Sequence, residues 1–278
     1  MSERNAVFKN NIELLRCPLC GEDLLAADSS LKCGKGHDFS LSRKGYCDFA
    51  PQKHAALYTK ELFTARRRIL EGRLYEKAAL TLSSLIKAYA SEGPVLDAGC
   101  GEGTFLLRAA EPGRAYFGAD LAREGIRLAS SGGNGLGWTV ADLACLPFKD
   151  HTLSAVLSIL SPAAYPEFKR VLRPGGVLIK VVPGDRYLRE LRELVEKQPH
   201  SNEKVLSLFD ARFCRVETVE IEDTFTLSPQ EAEDLYAMTP LTEHSQKEAA
   251  SPAALRAITV HLCFLVGKAD QPADSDLI

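Results

Sequence analysis

The chain has 278 residues, of which 45% are apolar and 26% charged, and its formal net charge is −3. This composition is typical of a globular protein, and the net charge excludes a chain whose whole surface binds polyanions. No apolar run approaches the roughly 20 residues that a membrane helix requires, and the first residues lack the apolar segment of a signal peptide. We therefore expect a cytoplasmic protein that does not bind membranes. In a cytoplasmic protein, the eight cysteines of this chain are more consistent with free thiols or a metal site than with disulfides.

The first predicted module, residues 1–50, contains four metal-ligand side chains in the pattern C-x2-C-x12-C-x3-H. This spacing is typical of a closed tetrahedral zinc site, which is structural because it has no open position. The segment has too few apolar residues to fold by burial alone, so the metal would contribute stability. Cys47 is an alternative fourth ligand with a less suitable spacing. The predicted ligands are Cys17, Cys20, Cys33 and His37.

The second segment, residues 51–90, is predicted to be a basic helical connector. Between Pro51 and Tyr75 there are six Lys or Arg residues and two acidic residues, which gives a local charge of +4. The apolar residues are spaced for helices with a break near Gly72. Three consecutive arginines fit either a solvated helix face or an RNA-binding surface, and their position between two modules favours RNA. They are Arg66, Arg67 and Arg68.

A ligand-binding loop is predicted near the start of the third segment, residues 91–268. The sequence from Val95 to Gly103 is V-L-D-A-G-C-G-E-G, which predicts a buried strand, a tight turn and the first turn of a helix. Glycines there allow positive φ angles and let a ligand lie against the backbone. Asp97 places a carboxylate beneath the loop. The pattern favours a nucleotide-type ligand.

Four more predicted strands alternate with helical segments after this loop, as a doubly wound α/β sheet requires. The first three strands of the domain each end in an acid, and ligands bind open α/β sheets outside the carboxyl ends of the strands. Asp120 lies near the spacing expected for ribose recognition, whereas Asp142 also fits a helix cap. The three acids are Asp97, Asp120 and Asp142.

Both dinucleotide dehydrogenases and methyltransferases use this geometry. The glycine loop, the later A-D and L-P-F, and L-R-P-G-G before the fifth strand resemble the class I family of S-adenosylmethionine-dependent methyltransferases. A dehydrogenase would be expected to contain G-x-G-x-x-G. The resemblance implies a Rossmann-like doubly wound sheet with a reversed last strand. Residues 212–219 and 257–266 are apolar enough to supply the last two strands.

The N-terminal motifs narrow this resemblance. C-P-x-C, C-x3-H and K-G-Y, followed in order by A-R-R, P-G-x-R and M-T-P, are similar to the bacterial 23S ribosomal RNA guanine-N1 methyltransferases. Two stretches depart from that family's pattern. They are residues 54–60, and L-S-P at 160–162, where the family tends to have an aromatic-Ala-Pro. Both stretches would face the substrate.

The resemblance implies a structural zinc ion and S-adenosylmethionine as the methyl donor. Asp97 would support the glycine loop, Asp120 would bind the ribose, and Asp142 with Leu143 would flank the adenine. Two tyrosines match positions that close over the cofactor, although core packing explains them equally well. The implied cofactor-binding residues are Tyr75, Asp97, Gly99, Gly101, Glu102, Gly103, Asp120, Asp142, Leu143 and Tyr187.

The sequence thus predicts an enzyme that methylates guanine N1 in a hairpin loop of 23S rRNA. This reaction requires the loss of a proton, but no base stands out, and Asp185 and Glu190 are the candidates. One alternative is a methyltransferase that acts on a small molecule or another RNA. A second is a non-catalytic cofactor-binding protein whose zinc module docks a partner. The family also suggests a homodimer, and residues 269–278 are expected to be disordered.

Overall fold

The computed structural model describes residues 5–50, 58–195, 201–239 and 251–269. The strands are β1 (Leu24–Ala26), β2 (Ser30–Cys33), β3 (Asp38–Ser40), β4 (Tyr46–Asp48), β5 (Val95–Ala98), β6 (Tyr116–Asp120), β7 (Gly137–Val140), β8 (Leu153–Ile159), β9 (Leu172–Pro183), β10 (Cys214–Thr226) and β11 (Ala257–Lys268). The α-helices are α1 (Ala6–Asn10), α2 (Lys60–Glu71), α3 (Glu76–Tyr89), α4 (Thr104–Ala109), α5 (Arg123–Ala129), α6 (Tyr165–Val171), α7 (Arg189–Leu194), α8 (Glu203–Asp210) and α9 (Pro229–Ala237).

An eight-stranded sheet with the order β10-β11-β9-β8-β5-β6-β7-β4 organises the chain. Neighbouring strands from β9 to β4 in this order are parallel, whereas β11 is antiparallel to both β9 and β10. All residues of β5 and β8 are buried, because helices cover both faces of a parallel sheet and favour continuous apolar strands. This topology confirms the predicted doubly wound sheet with a reversed last strand.

Strand β9 begins earlier than the sequence suggests. The L-R-P-G-G segment, expected before the fifth strand, forms the first residues of β9. Gly175 adopts a φ of 75° there, and the pairing between β8 and β9 shifts register between Leu153 and Ala155. Directly after β11, the Ala269 N–H donates to the Gly176 carbonyl in the same segment. The rest of the tail expected to be disordered lies outside the described residues.

The helices of the connector pack against the α/β domain. Helix α2 begins after Thr59, whose hydroxyl oxygen accepts a 3.2 Å hydrogen bond from the Leu62 N–H, as an N-cap residue does. The helix ends at Gly72, where the sequence predicts the break. Most buried residues of α2 and α3 belong to the same apolar cluster as those of β5, β8 and β9. The two helices are therefore part of the domain core.

The N-terminal module shares its core with the α/β domain. Strands β1, β2 and β3 form a small antiparallel sheet, but β4 pairs in parallel with β7 and extends the large sheet. Phe8, Leu31 and Phe49 of the module lie in one apolar cluster with Phe117 and Phe148. The module is thus anchored by backbone pairing and by side-chain burial. Within the described part of the chain, no helix has the length and apolar character needed to cross a membrane.

Gly118 on β6 offers a test of the packing beneath the glycine loop. A Cβ atom at Gly118 would lie 2.5 Å from Trp138 Cζ3 and 2.9 Å from Cys100 Sγ. We expect Gly118→Ala to lower the free energy of unfolding by about 1–3 kcal/mol, because the buried indole must move. Urea denaturation measures this change. In the control Gly132→Ala, the nearest atom to the new Cβ is Asn134 Nδ2 at 3.6 Å, so a change within about 0.5 kcal/mol is expected. Equal losses would contradict the packing argument.

Candidate cofactor and zinc sites

The glycine loop connects β5 to α4 with the backbone geometry that its sequence predicts. Gly99, Gly101 and Gly103 have φ angles of 86°, 55° and 78°, which residues with a side chain rarely adopt. A Cβ at Gly99 would lie 2.5 Å from Ser161 Cβ, and one at Gly103 would lie 2.3 Å from Trp138 Cη2. Gly99 and Gly103 are therefore required both by conformation and by close approach, and Gly101 by conformation.

Asp120 holds the loop in place. Its Oδ2 accepts a 2.8 Å hydrogen bond from the Gly101 N–H, and its Oδ1 accepts a 2.7 Å bond from the Ala122 N–H. The sequence predicts that Asp97 supports the loop, whereas in the structure Asp120 forms these hydrogen bonds. The cause is register, because Asp120 ends β6 directly beside the turn that leaves β5.

Asp97 and Glu102 form a buried acidic cluster beneath the loop. Each is 1% exposed, and Asp97 Oδ1 has no hydrogen-bond partner among the described residues. Glu102 Oε2 also lacks a hydrogen bond, but it forms an ion pair with Arg66 Nε at 3.3 Å. Burial, together with the neighbouring Asp120 and Glu102 carboxylates, raises the pKa of Asp97 to about 8. An unpartnered buried oxygen is costly, and a cationic donor would satisfy Asp97 Oδ1. The cluster therefore fits the ammonium group of an amino acid ligand.

The three consecutive arginines are engaged within the molecule. Arg66 Nε lies 3.3 Å from Glu102 Oε2, and Arg67 donates to the carbonyls of Glu102 and Leu128 at 2.9 and 3.1 Å. Arg68 Nε donates to the buried Asp234 at 2.7 Å. They therefore do not form the free phosphate-binding face that the sequence suggested. Arg66 belongs instead to the ligand site, because α2 packs directly over the glycine loop.

A cavity of about 480 Å³ opens beside the loop, over the ends of β8 and β9. Both tyrosines expected near the cofactor line it, and the hydroxyls of Tyr75 and Tyr187 are 2.7 Å apart. Ser161 connects the cavity to the loop, since its Oγ donates to the Ala98 carbonyl at 2.9 Å. The polar or charged lining residues include Arg66, Tyr75, Ser161, Lys180, Tyr187 and Arg192.

Lys180 is a polar residue of this cavity that is not among the predicted site residues. It is 4% exposed, and its Nζ lies 3.0 Å from the Ser161 carbonyl and 3.3 Å from Ser158 Oγ. Burial lowers the pKa of Lys180 to about 8. The available signal was a single lysine within the apolar run V-L-I-K-V-V, where a charged side chain is uncommon.

The two predicted catalytic acids do not line the cavity. Asp185 is exposed, and Glu190 accepts hydrogen bonds from the Thr259 N–H and hydroxyl at 2.8 and 2.7 Å. Burial would raise the pKa of Glu190, but the bonds from Thr259 lower it overall. Glu190 therefore stays ionised and anchors α7 to β11. The sequence placed both acids correctly after β9 but could not show which way they face.

Asp142 and Leu143 follow β7 on the opposite side of the loop from the cavity. Asp142 Oδ1 accepts a 2.9 Å hydrogen bond from the Ala144 N–H, which is a local turn contact. Leu143 Cδ1 would lie 3.7 Å from a Cβ at Gly99, so its side chain reaches the loop. A ligand that spans the loop would extend from the acids at β6 and β7 to the cavity at β8 and β9.

The four predicted metal ligands converge in the N-terminal module. Their ligand atoms all lie within 4.8 Å of one another. Cys20 Sγ and Cys33 Sγ are 3.7 Å apart, and His37 Nδ1 lies 3.4 and 3.3 Å from Cys17 Sγ and Cys33 Sγ. Tetrahedral zinc with Zn–S bonds of about 2.3 Å places two sulfurs about 3.7–3.8 Å apart. The donor set and its spacing therefore fit zinc.

Metal analysis of two cysteine variants tests this site. We expect Cys20→Ala to reduce bound zinc from about one ion per chain to near zero and to lower the Tm, because zinc binding contributes to folding. Cys47→Ala is the matched control. Cys47 is fully buried in β4 and lies outside the ligand cluster, so this variant should keep its zinc. Loss of zinc from Cys47→Ala as well as from Cys20→Ala would contradict this ligand set and favour Cys47 as a ligand.

Comparisons with known proteins agree with both sites. A family model described as "Methyltransferase domain" matches residues 95–176, and a zinc-ribbon model described as "RlmA, N-terminal" matches residues 15–56. The solved structure of the cyclase SpnF has a TM-score of 0.54 and 17% identity, and the match covers 77% of this chain and 94% of that one. At this identity, the likeness shows the fold alone.

Two curated relatives cover most of the chain. The Bacillus subtilis protein YxjB, named "Putative 23S rRNA (guanine-N(1)-)-methyltransferase", is 37% identical over 256 residues, which are 87% of this chain and 91% of the relative. The Streptomyces fradiae protein named "23S rRNA (guanine(748)-N(1))-methyltransferase" is 29% identical over 86% of this chain and 89% of its own length. The chain therefore belongs to the 23S rRNA (guanine-N1)-methyltransferase family and is a class I methyltransferase that uses S-adenosylmethionine and has an N-terminal zinc ribbon.

Proposed function

We propose that this enzyme methylates N1 of a guanine in 23S rRNA. The substrate follows from the names of the two relatives that match most of the chain. The observation that carries the proposal is the unpartnered buried oxygen of Asp97, in an acidic cluster beside a cavity of about 480 Å³. This arrangement provides a site for a cationic donor next to a space for an acceptor base.

The acidic cluster would hold the methionine half of S-adenosylmethionine. Asp97 would accept hydrogen bonds from the ammonium group, and the glycine loop would allow that group to lie against the backbone. Arg66, which is paired with Glu102, would contact the carboxylate. This division of roles follows from charge, since the ligand's own ammonium and carboxylate require opposite partners.

The acids at β6 and β7 would hold the nucleoside half. Asp120 has two oxygens that each accept one backbone bond, and each oxygen keeps a further lone pair for a ribose hydroxyl. Leu143 would pack against the adenine, with Asp142 beside it. Tyr75 and Tyr187 would close the other side of the loop, where their hydroxyls meet.

The cavity at β8 and β9 would receive the acceptor base. With the ribose at β6, the sulfonium end of the cofactor would lie on the cavity side of the loop. S-adenosylmethionine supplies an electrophilic methyl group, and the protein's task is to align it with N1. The guanine would be splayed out of its RNA loop to reach this depth.

Three further expectations concern the RNA partner, the cytoplasmic location and the homodimer. The relatives' names support ribosomal RNA, but Arg66, Arg67 and Arg68 are engaged within the molecule and give it no added support. The cytoplasm is where ribosomal RNA would be available. Association of two chains stays a prediction.

Asp97→Asn tests the assignment of the ammonium site. We expect the affinity for S-adenosylmethionine, measured by calorimetry, to fall at least about tenfold, because a charge-assisted bond is lost. The ligand-free variant should be more stable than the parent at pH 8.5, by on the order of 5 °C in Tm. Asp97 has a folded pKa of about 8, above its usual value, so its contribution to stability is lost as pH rises toward 8.

Asp185→Asn is the matched control for this experiment. Asp185 is exposed and lies outside the cavity lining, so its substitution should leave both the affinity and the Tm unchanged. An Asp97→Asn enzyme that binds S-adenosylmethionine as tightly as the parent would contradict the assignment.

Transfer of a labelled methyl group tests the function as a whole. The enzyme should label 23S rRNA from cells that lack the modification, and the label should map to N1 of a single guanine. Label in another RNA or only in small metabolites would favour a different acceptor. Cofactor binding without transfer to any of these substrates would favour a non-catalytic role.

A further inference from the structure

The lining of the acceptor cavity contains a single group suited to proton exchange near neutral pH. Among the described residues, no carboxylate or imidazole lines the cavity. Arg66 and Arg192 carry guanidinium groups, which do not release protons in proteins. Burial raises the pKa values of the three lining tyrosines, Tyr75, Tyr165 and Tyr187. Lys180 is the remaining ionisable side chain.

Lys180 lies where the cavity meets the methyl-donor loop. Its Nζ is 3.0 Å from the Ser161 carbonyl, and Ser161 Oγ in turn donates to the Ala98 carbonyl at 2.9 Å. The same serine contacts the loop closely enough that a Cβ at Gly99 would lie 2.5 Å from Ser161 Cβ. One residue therefore connects the amine to the loop that would carry the methyl donor.

We propose that Lys180, as a neutral amine, is the general base that removes the N1 proton of the acceptor guanine. The inference rests on the proposed function, since it requires an acceptor that loses a proton as it is methylated. Asp185 and Glu190 cannot take this role from their observed positions.

The surroundings of Lys180 favour the neutral form. No carboxylate of the described residues lies within 4.0 Å of its Nζ, and its register neighbours, Ser158 on β8 and Leu265 on β11, carry no charge. Burial lowers the pKa of Lys180 to about 8, and a bound sulfonium would lower it further through repulsion between like charges.

The hydrogen bonds of Lys180 also match a base. A neutral amine has two N–H groups and one lone pair. Donation to the Ser161 carbonyl and to Ser158 Oγ uses both N–H groups. The lone pair is then left for the cavity that Lys180 lines. A charged ammonium would have a third N–H there instead.

The reaction balances without any further reactant. The N1–C bond forms as the C–S bond breaks, with the bonding electron pair remaining on sulfur, and the N1 proton moves to Lys180 Nζ. One positive charge leaves the sulfonium and one appears on the ammonium, so the net charge of the buried site does not change. A permanently charged lysine would instead place two cations together and leave the proton without an acceptor. Product release then returns the proton to solvent.

Lys180→Met tests the proposal, because it removes the amine and keeps an unbranched apolar side chain. We expect kcat for 23S rRNA methylation to fall about 10²–10⁴-fold, which is the typical contribution of a general base. The Kd for S-adenosylmethionine should stay within about threefold. Lys87→Met on the exposed side of α3 is the matched control and should keep full activity. Activity of Lys180→Met within threefold of the parent would overturn the inference.

The pH profile provides a second measurement, which does not depend on the variant folding. For the parent enzyme, kcat/KM should rise with pH and level off above the pKa of Lys180, because only the neutral amine accepts the proton. A kcat/KM that falls over this range would show that the ammonium form is active and would overturn the inference. If the parent enzyme labels no 23S rRNA, the proposed function fails as well. If the parent labels the RNA and Lys180→Met does so equally, only the role of Lys180 fails.

Discussion

The site depends on an unfavourable electrostatic arrangement, the burial of acidic side chains beneath a backbone turn. Asp97 and Glu102 are almost completely buried, and Asp97 Oδ1 has no hydrogen-bond partner among the described residues. The positive charge closest to this cluster comes from Arg66 on α2. Helix α2 is therefore held over the loop by charge as well as by apolar contacts. This explains why a segment that reads as a connector is built into the domain core.

The shape of the loop depends in turn on Trp138 and on the N-terminal module. The indole lies against both Gly103 and Gly118, where a Cβ would come within 2.5 Å of it. Trp138 belongs to β7, and its register partner on β4 is Tyr46. The zinc site fixes the small sheet that precedes β4 in the chain. The zinc ribbon therefore supports the residues beneath the glycine loop through the pairing of β4 with β7.

Sequence reasoning succeeded where the chemistry is local in the chain. The four metal ligands, the glycine loop and the break at Gly72 were predicted because closely spaced residues determine each of them. It failed where the partner comes from a distant segment. Nothing in the run Arg66-Arg67-Arg68 indicates that Arg68 binds Asp234, 166 residues further along the chain. The support of the loop by Asp120 and the burial of Lys180 likewise depend on strand register and on helix packing.

The charges of the site are separated across the glycine loop. Acidic side chains lie beneath the loop and at β6 and β7, whereas the guanidinium groups lining the cavity at β8 and β9 belong to Arg66 and Arg192. A cationic methyl donor is attracted to the first side, and an electron-rich base on a polyanion to the second. Electrostatic interactions strengthen in a low-dielectric interior. This separation of charge across the loop would therefore orient the two substrates before any specific contact forms. Lys180 lies at the boundary, and a base at that position would take up the positive charge that sulfur loses.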